Sequence, residues 1–417
     1  MSEPEVRGRV LAARGLTLIA HVPGARRGDW VRIETQRSFL DAEVIAFEAD
    51  QVTLMPIGSV HGVGPNDPVT WMGSALSVSC GPDLLGRVLD GLGRPLDGGP
   101  ALSGEPWPIE RRAPPAITRP RIDRVLPTGV RAIDALCTVG EGQRLGLFAP
   151  AGVGKTTLLA SLAERASADV IVTCLIGERG RELNEYLDEA LGLRARGRSV
   201  VVCATSDASP LERMKSAKVA TTFAEYFRGR GQRVLLLVDS LTRLVRAARE
   251  VGLAAGEPPA RRGFPPSAFS ELSPLLERAG LTPEGSITAF YSVLVEGNDL
   301  DEPVADEVRG LVDGHLVLDR TLAQRGHYPP IDIVKSMSRL MDRIVSPPQR
   351  TAAARVRELL LHYETKRDLV ELGAVSKGSD PLLDRALATL PKIQALLRQE
   401  RDEPCEFATS VERLCAI

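Results

Sequence analysis

The sequence predicts an α/β protein built on a mostly parallel sheet, with a small antiparallel β-barrel or sheet before it and helices after it. Three observations predict this. Residues 1 to 75 hold short apolar runs ("VRIE", "AEVIAF", "VTLMPI") separated by turn residues, the spacing of a small antiparallel β domain. From about 130 to 345, the runs "RLGLF", "VIVTCLI", "SVVVCA", "RVLLLV" and "SITAFYSVLV" alternate with helix-patterned segments at 156–165, 182–191 and 211–227. Strands alternating with helices give a parallel sheet covered on both faces. Residues 346 to 417 are helix-patterned, in "RTAAARVRELLLHYETKRDLVEL" and "DPLLDRALATLPKIQALLRQE". Two stretches rich in Gly and Pro, 81–100 and 106–122, read as connecting loops around the first boundary.

Composition sets the bounds. A chain of 417 residues exceeds one ordinary core and implies two or three domains. Hydrophobic residues at 43% and charged residues at 25% describe an ordinary globular protein. Lys and Arg number 52 against 54 Asp and Glu, a net charge of −2, which argues against a dedicated nucleic-acid binder. Six cysteines have no paired metal spacing, and Cys174 and Cys203 fall inside apolar runs, as buried thiols in a reducing compartment would. The start "MSEPEVRGRV" lacks the apolar stretch of a secretory signal. No apolar run approaches the ~20 residues that span a bilayer. The expectation is a cytoplasmic protein that meets a membrane only peripherally, through partners.

Within the second part, "FAPAGVGKTTLL" runs from a strand into a helix. Its loop is Ala149, Pro150, Ala151, Gly152, Val153, Gly154, Lys155, Thr156 and Thr157. Strand, loop and helix in that order are the context of a phosphate-binding loop. Gly152 and Gly154 let the backbone curl so that N–H groups face phosphate oxygens, and the helix N-terminus adds its dipole. Lys155 can reach the outer phosphates and the Thr156 hydroxyl can ligand Mg²⁺, so the expected ligands are ATP and Mg²⁺. The usual pattern has glycine where this chain has Ala149; a small side chain at the loop's start, away from the phosphates, is expected to be tolerated. Asp239 ends the run "RVLLLVD", the place of a Mg²⁺-holding carboxylate or of a helix N-cap. Glu178, Arg179 and Glu182 follow another strand in "VIVTCLIGERGREL". A carboxylate there can orient and deprotonate an attacking water; the alternative is a solvated charged turn.

The segments "APAGVGKT", "IGERGRE", "LLLVDSLTR", "GFPPSAFSELSPLLERAG", "VEGNDLDEPVADEVRGLVDGHLVLDRTLAQRGHYPPIDIVKSMSR" and "KGSDPLLDRAL" occur in the order of one family. The chain resembles the ATPase of type III protein secretion, a relative of the flagellar export ATPase and of the catalytic subunit of rotary ATP synthase. The resemblance spans essentially the whole chain, and "FAPAG" looks more like the injectisome branch than the flagellar one. It implies an N-terminal β-barrel for oligomerisation or docking (1–75), a RecA-like nucleotide domain (76–345) and a C-terminal helical domain that contacts cargo and chaperones (346–417). It further implies a homohexamer that detaches effectors from chaperones and unfolds them for export, a virulence function. The implied partners are stalk and peripheral anchoring proteins, the export gate at the inner membrane and effector–chaperone complexes.

Residue by residue, the resemblance makes Lys155 and Thr156 the phosphate and Mg²⁺ ligands and Asp239 the Walker-B aspartate. Glu178 becomes the catalytic carboxylate, with Arg179 and Glu182 supporting it, Glu182 on the metal side. Tyr328 in "GHYPPID" packs on adenine, and Arg339 in "SMSR" is the arginine finger that reaches a neighbouring subunit. Two departures stand out: Val375 where the family often has an aromatic near adenine, and Asn298 where an acidic residue is frequent. In "EPPARRGFPPSAFSEL" (257–272) Phe264 either faces the centre of the ring or folds back onto the core.

A flagellar export ATPase is the second expectation. A hexameric nucleic-acid motor shares the RecA-like core but should carry an aromatic and basic binding face; aromatics are only 4% and residues 1–75 show no such cluster. A ring subunit that binds nucleotide without turning it over would lack the carboxylate that Glu178 supplies.

Overall fold

The computed structural model describes residues 7–73, 76–296 and 299–417; Asn298 and the first six residues lie outside the described residues. Six strands open the chain: β1 (Arg7–Arg14), β2 (Thr17–His21), β3 (Trp30–Glu34), β4 (Phe39–Glu48), β5 (Gln51–Pro56) and β6 (Pro68–Trp71). They close into a barrel in the order β1-β2-β5-β4-β3-β6. Alternate side chains, among them Leu18, Ala20, Val31, Ile33, Leu54 and Val69, fill its interior, as the two-residue period of a strand requires. The open alternative, an antiparallel sheet, is not what forms.

Next come β7 (Ser77–Cys80), β8 (Val88–Asp90) and β9 (Glu105–Pro108). The Gly/Pro-rich stretches expected to be loops are partly strand. β7 and β9 pair as a ribbon, while β8 joins the main sheet parallel to its edge strand, with Val201 opposite Val88. Three residues of strand between glycine turns are too short to show a period.

The main sheet has nine strands. Besides β8 they are β10 (Arg144–Ala149), β11 (Val170–Glu178), β12 (Ser199–Thr205), β13 (Arg233–Asp239), β14 (Gly280–Leu281), β15 (Ser286–Leu294), β16 (Gly314–Val317) and β17 (Met337–Ser338). Their order is β17-β16-β10-β15-β13-β11-β12-β8, with β14 added antiparallel beside β15. The inner strands are parallel and almost wholly buried, which explains why they read as unbroken apolar runs. Helices Pro210–Arg228, Leu241–Ala254 and Pro303–Leu311 cover one face. Helix Lys155–Arg165 and the C-terminal helices cover the other.

The helix-patterned segment 182–191 is not a single α-helix. It is α-helical only over Gly180–Glu185 and widens to a π-helical turn over Tyr186–Ala190. The turn delivers the Tyr186 ring into the core, where its hydroxyl meets Thr173 Oγ1 at 2.9 Å.

The C-terminal part consists of helices Pro347–Glu371, Pro381–Leu397 and Phe407–Cys415. The first two start alike, with proline at the first turn behind a capping side chain: Ser346 Oγ accepts from Gln349 N and Asp380 Oδ1 from Leu383 N. The buried Arg131 ties this part to the sheet domain, donating to the Leu396 carbonyl at 3.1 Å and pairing with Glu403. The barrel is tied by a different cation: Lys215 Nζ lies 2.8 Å from Glu43 of β4 and 3.1 Å from Glu110.

Cys80, Cys137, Cys174 and Cys203 are buried free thiols. Phe264 folds back onto the core, with its ring 5.3 Å from that of Phe269 and 5.4 Å beneath the Arg249 guanidinium.

Candidate active site

The carboxyl ends of β10, β11 and β13 converge, the place where open parallel sheets bind ligands. At the end of β10 the chain turns through Pro150–Gly154 and starts a helix at Lys155. Gly152 and Gly154 have φ of 76° and 95°, a region that only glycine enters without strain. The helix leaves its first N–H groups without helical partners, facing the loop. Ala149 is fully buried as the last residue of β10, and its carbonyl accepts from Val295 N at 3.1 Å. It belongs to the strand, so its methyl group stays out of the loop's concavity. Thr156 and Thr157 are exposed at the mouth, with Ala151 and Gly152; Pro150 and Val153 are buried beneath it.

Lys155, Glu178 and Asp239 meet in one buried cluster. Lys155 Nζ is bonded to Asp239 Oδ1 and lies 3.9 Å from Glu178 Oε1. Asp239 is the last residue of β13, only 1% exposed. Its Oδ1 also accepts from Ser292 Oγ at 2.7 Å, whereas its Oδ2 is buried without a partner among the described residues. A buried bare carboxylate oxygen beside a phosphate-type loop suits a hard cation, which takes oxygen ligands. Thr156 and Asp239 therefore fit Mg²⁺ completed by phosphates and water.

Glu178 ends β11 after a register shift at Gly177, whose φ of 66° turns the next side chain toward the loop. Burial pushes the Glu178 carboxyl up, to about 7, aided by the Glu182 carboxyl and by Asp239 and opposed by Lys155 and Arg243. Contact with Glu178 holds Glu182 below the usual carboxylate range, so Glu178 is the member of the pair that takes up a proton first as pH falls. Glu182 also accepts from Arg179 N at 3.4 Å and is thus turned to Glu178 and its own helix start. The Arg179 side chain is exposed.

Tyr328, half exposed, stands beside Gly154: a Cβ there would lie 4.0 Å from its ring. A cavity of about 260 Å³ opens at this point, lined by Val130, Leu158, Tyr328, Pro330, Gln399 and Arg401 among others. Val375 is not in its wall. The C-terminal part contributes Gln399, Glu400 and Arg401 to that wall instead. A larger cleft of about 900 Å³, lined by Arg165, Arg198, Asp402 and Arg413, lies at the far end of the loop's helix.

Arg339 is not in this cluster. It follows β17, and its N–H donates to the Asp313 carbonyl just before β16 begins. β16 runs parallel to β10, with His315 opposite Gly146 and Val317 opposite Phe148. The loop leaves the opposite end of that strand pair, about 16 Å along at ~3.3 Å per residue. Its guanidinium contacts the Arg309 carbonyl at 3.4 Å, and among the described residues no carboxylate, Asp342 included, pairs with it.

The sequence reading missed three residues. Arg243 Nη1 lies 2.8 Å from Glu178 Oε1; its spacing of four from Asp239 was the available signal. Ser292 is one of four hydroxyl residues in "SITAFYSVLV", and nothing in the run singles it out. Gln399, which bridges Arg131 N and the Gly129 carbonyl behind the cavity, had no signal either.

Comparison with known proteins agrees with this geometry. The family model described as ATP synthase alpha/beta family, nucleotide-binding domain, matches residues 129–338, and that for the T3SS EscN ATPase C-terminal domain matches residues 345–416. The type 3 secretion system ATPase of Sinorhizobium fredii (strain NBRC 101917 / NGR234) is 49% identical over 97% of this chain and 91% of its own. The flagellum-specific ATP synthase of Pseudomonas aeruginosa is 45% identical over 100% of this chain and 94% of its own. The assembled ATPase EscN of the enteropathogenic E. coli type III secretion system superposes with a TM-score of 0.93 at 43% identity, covering 98% of both chains. The same ATPase in complex with its central stalk EscO gives 0.90, again at 43% identity and 98% of both. With the phosphate loop, the buried carboxylates and the helical C-terminal part in place, this chain belongs to the ATP synthase alpha/beta nucleotide-binding family and, within it, to the type 3 secretion system ATPases, and it is an ATP hydrolase.

Proposed function

We propose that the chain works as a homohexameric ring that hydrolyses MgATP between adjacent subunits and uses the energy to strip effectors from chaperones and unfold them for type III export. The observation that carries the catalytic part is the convergence of Lys155, Glu178 and Asp239 at the mouth of the phosphate loop. Thr156 and Asp239 would hold Mg²⁺, which when bound neutralises charge on the outer phosphates. Lys155 leaves Asp239 for those phosphates. Glu178 accepts a proton from the attacking water as the water oxygen bonds the terminal phosphorus and the bridging P–O bond breaks. Arg243 and Glu182 aim and tune Glu178. Tyr328 packs on the base, and Arg339 serves the site of the next subunit.

In this reading the barrel carries ring assembly and docking, and the helical part meets cargo and chaperones. A central stalk is an expected partner because EscN is described in complex with one. Peripheral anchoring proteins and the export gate would bring the ring to the inner membrane. Among the described residues no helix is long and apolar enough to cross a membrane, which suits a cytoplasmic ring held there by partners. The test is capture of tagged protein from its own cells, with ATPase assay of the captured ring. Recovery of injectisome stalk and chaperone proteins supports the reading; recovery of flagellar rod and hook export proteins instead would move the chain to the flagellar function.

A further inference from the structure

We propose that Ser292 is a positioning residue for Asp239, its hydroxyl fixing one carboxylate oxygen so that the other faces the metal of a metal–nucleotide complex. The inference rests on the nucleotide-site reading above and adds to it a residue that touches neither phosphate nor metal.

Ser292 lies in β15, between the phosphate-loop strand β10 and the Asp239 strand β13. Register sets Leu147 opposite Ser292 on one side and Val238 opposite Tyr291 on the other, which brings Ser292 level with Asp239. The residue is fully buried between Tyr291 and Val293. A hydroxyl in such a strand is unfavourable unless hydrogen-bonded, and packing alone would be served by alanine. Its partner is Asp239 Oδ1 at 2.7 Å.

Oδ1 therefore has two donors, Ser292 Oγ and Lys155 Nζ, while the buried Oδ2 has none among the described residues. When Lys155 turns to the phosphates, Ser292 is the donor that stays. It keeps the carboxylate from rotating and leaves Oδ2 without a competing donor. Its own position is rigid, because the strand is clamped just beyond it. Thr242 Oγ1 accepts from Leu294 N at 2.9 Å, and Val295 N donates to the Ala149 carbonyl at 3.1 Å. The end of β15 thus joins the carboxylate side of the site to the loop side.

The test measures dissociation of the fluorescent analogue mant-ATP from the full chain, with Mg²⁺ and with EDTA. Wild type binds more tightly with Mg²⁺. Ser292→Ala should lose roughly tenfold of that gain, the low end of the ~10–100-fold seen for outer-shell partners of metal ligands. Affinity in EDTA and the melting midpoint should hold, and Ser292→Thr, which keeps the hydroxyl, should restore the gain. If the alanine variant melts early, Ser292→Cys, a near-isosteric weak donor, is expected to lose the gain while folded. An unchanged gain in Ser292→Ala, equal loss with and without metal, or a folded Ser292→Thr that behaves like alanine overturns the inference alone. A wild type with no Mg²⁺ gain overturns the nucleotide-site reading beneath it.

Discussion

Arg243 Nη1 stands 2.8 Å from Glu178 Oε1 and also donates to the Gly177 carbonyl, so the carboxyl group is steered by a cation anchored to the backbone bulge that presents it. Arg243 favours the ionised form, against burial, which pushes the group up to about 7. A raised carboxyl is protonated below that value, and a protonated group cannot accept a proton from water. kcat/KM for ATP should therefore fall on the acid side with a midpoint near 7, since that ratio reports groups of the free enzyme. Arg243→Gln removes the favouring cation and should move the midpoint to higher pH. Glu182→Gln removes the neighbouring carboxyl that raises Glu178 and should move it lower. Two variants with unmoved profiles would assign the limb to another group.

Glu178→Gln keeps the size of the side chain and its contact with Arg243 but cannot accept the proton. Hydrolysis should fall roughly 10²–10⁴-fold, the range of a general acid–base group, with mant-ATP affinity close to wild type. Near-normal turnover would place the base on Glu182 or another carboxylate.

The sequence carried the loop and the two clustered carboxylates, Glu178 and Asp239, because each ends an apolar run, and a parallel sheet needs such runs where its strands are buried on both faces. It did not carry β8, because three residues between glycine turns have no measurable period. Nor did it carry the partners of Glu178 and Asp239. Arg243 lies on the helix after β13 and Ser292 on β15, and the sheet order β10-β15-β13-β11 sets the first beside Glu178 and the second beside Asp239. Arg339 was assigned to a neighbour on resemblance. Its place at the other end of β16 from the loop gives that assignment a spatial reason that spacing could not. Phe264 shows the limit from the other direction: an aromatic in a Pro/Gly-rich loop left two readings open, and its packing on the core, with contacts to Phe269 and Arg249, decides that it folds inward.

The barrel's attachment makes a stability prediction. Lys215 is buried between Glu43, itself 8% exposed, and Glu110. Removing one partner of a buried ion pair strands the other and costs about 3–5 kcal/mol, whereas replacing both by apolar groups is often nearly neutral. Lys215→Met should loosen the barrel, and Lys215→Met with Glu43→Met should recover most of the loss. Two of the chain's three tryptophans, Trp30 and Trp71, lie in the barrel. Denaturant unfolding followed by their fluorescence should shift to lower urea in the single variant and back in the double. A single variant that unfolds like wild type would mean that apolar contacts hold the barrel without this cluster.

Arg339 should act in trans. Phosphoryl transfer spreads charge over the terminal oxygens, and one well-placed arginine can supply roughly 10³–10⁵ in rate. Arginine suits the task because it is always charged and presents a planar fork of donors. Within one subunit it is on the wrong end of the sheet, exposed, with no carboxylate partner among the described residues. In a ring of identical chains each working site then needs Lys155 from one subunit and Arg339 from the next. Lys155→Ala and Arg339→Ala should each give nearly inactive rings when pure. Coassembled from a mixture, a fraction of interfaces joins an intact Lys155 to an intact Arg339, and ATPase activity should return. If Arg339 served its own subunit, every site would keep one defect and mixing would restore nothing. Absence of rescue in rings shown by mass measurement to contain both variants would therefore reject the trans assignment, provided that wild-type subunits diluted into Lys155→Ala rings still turn over.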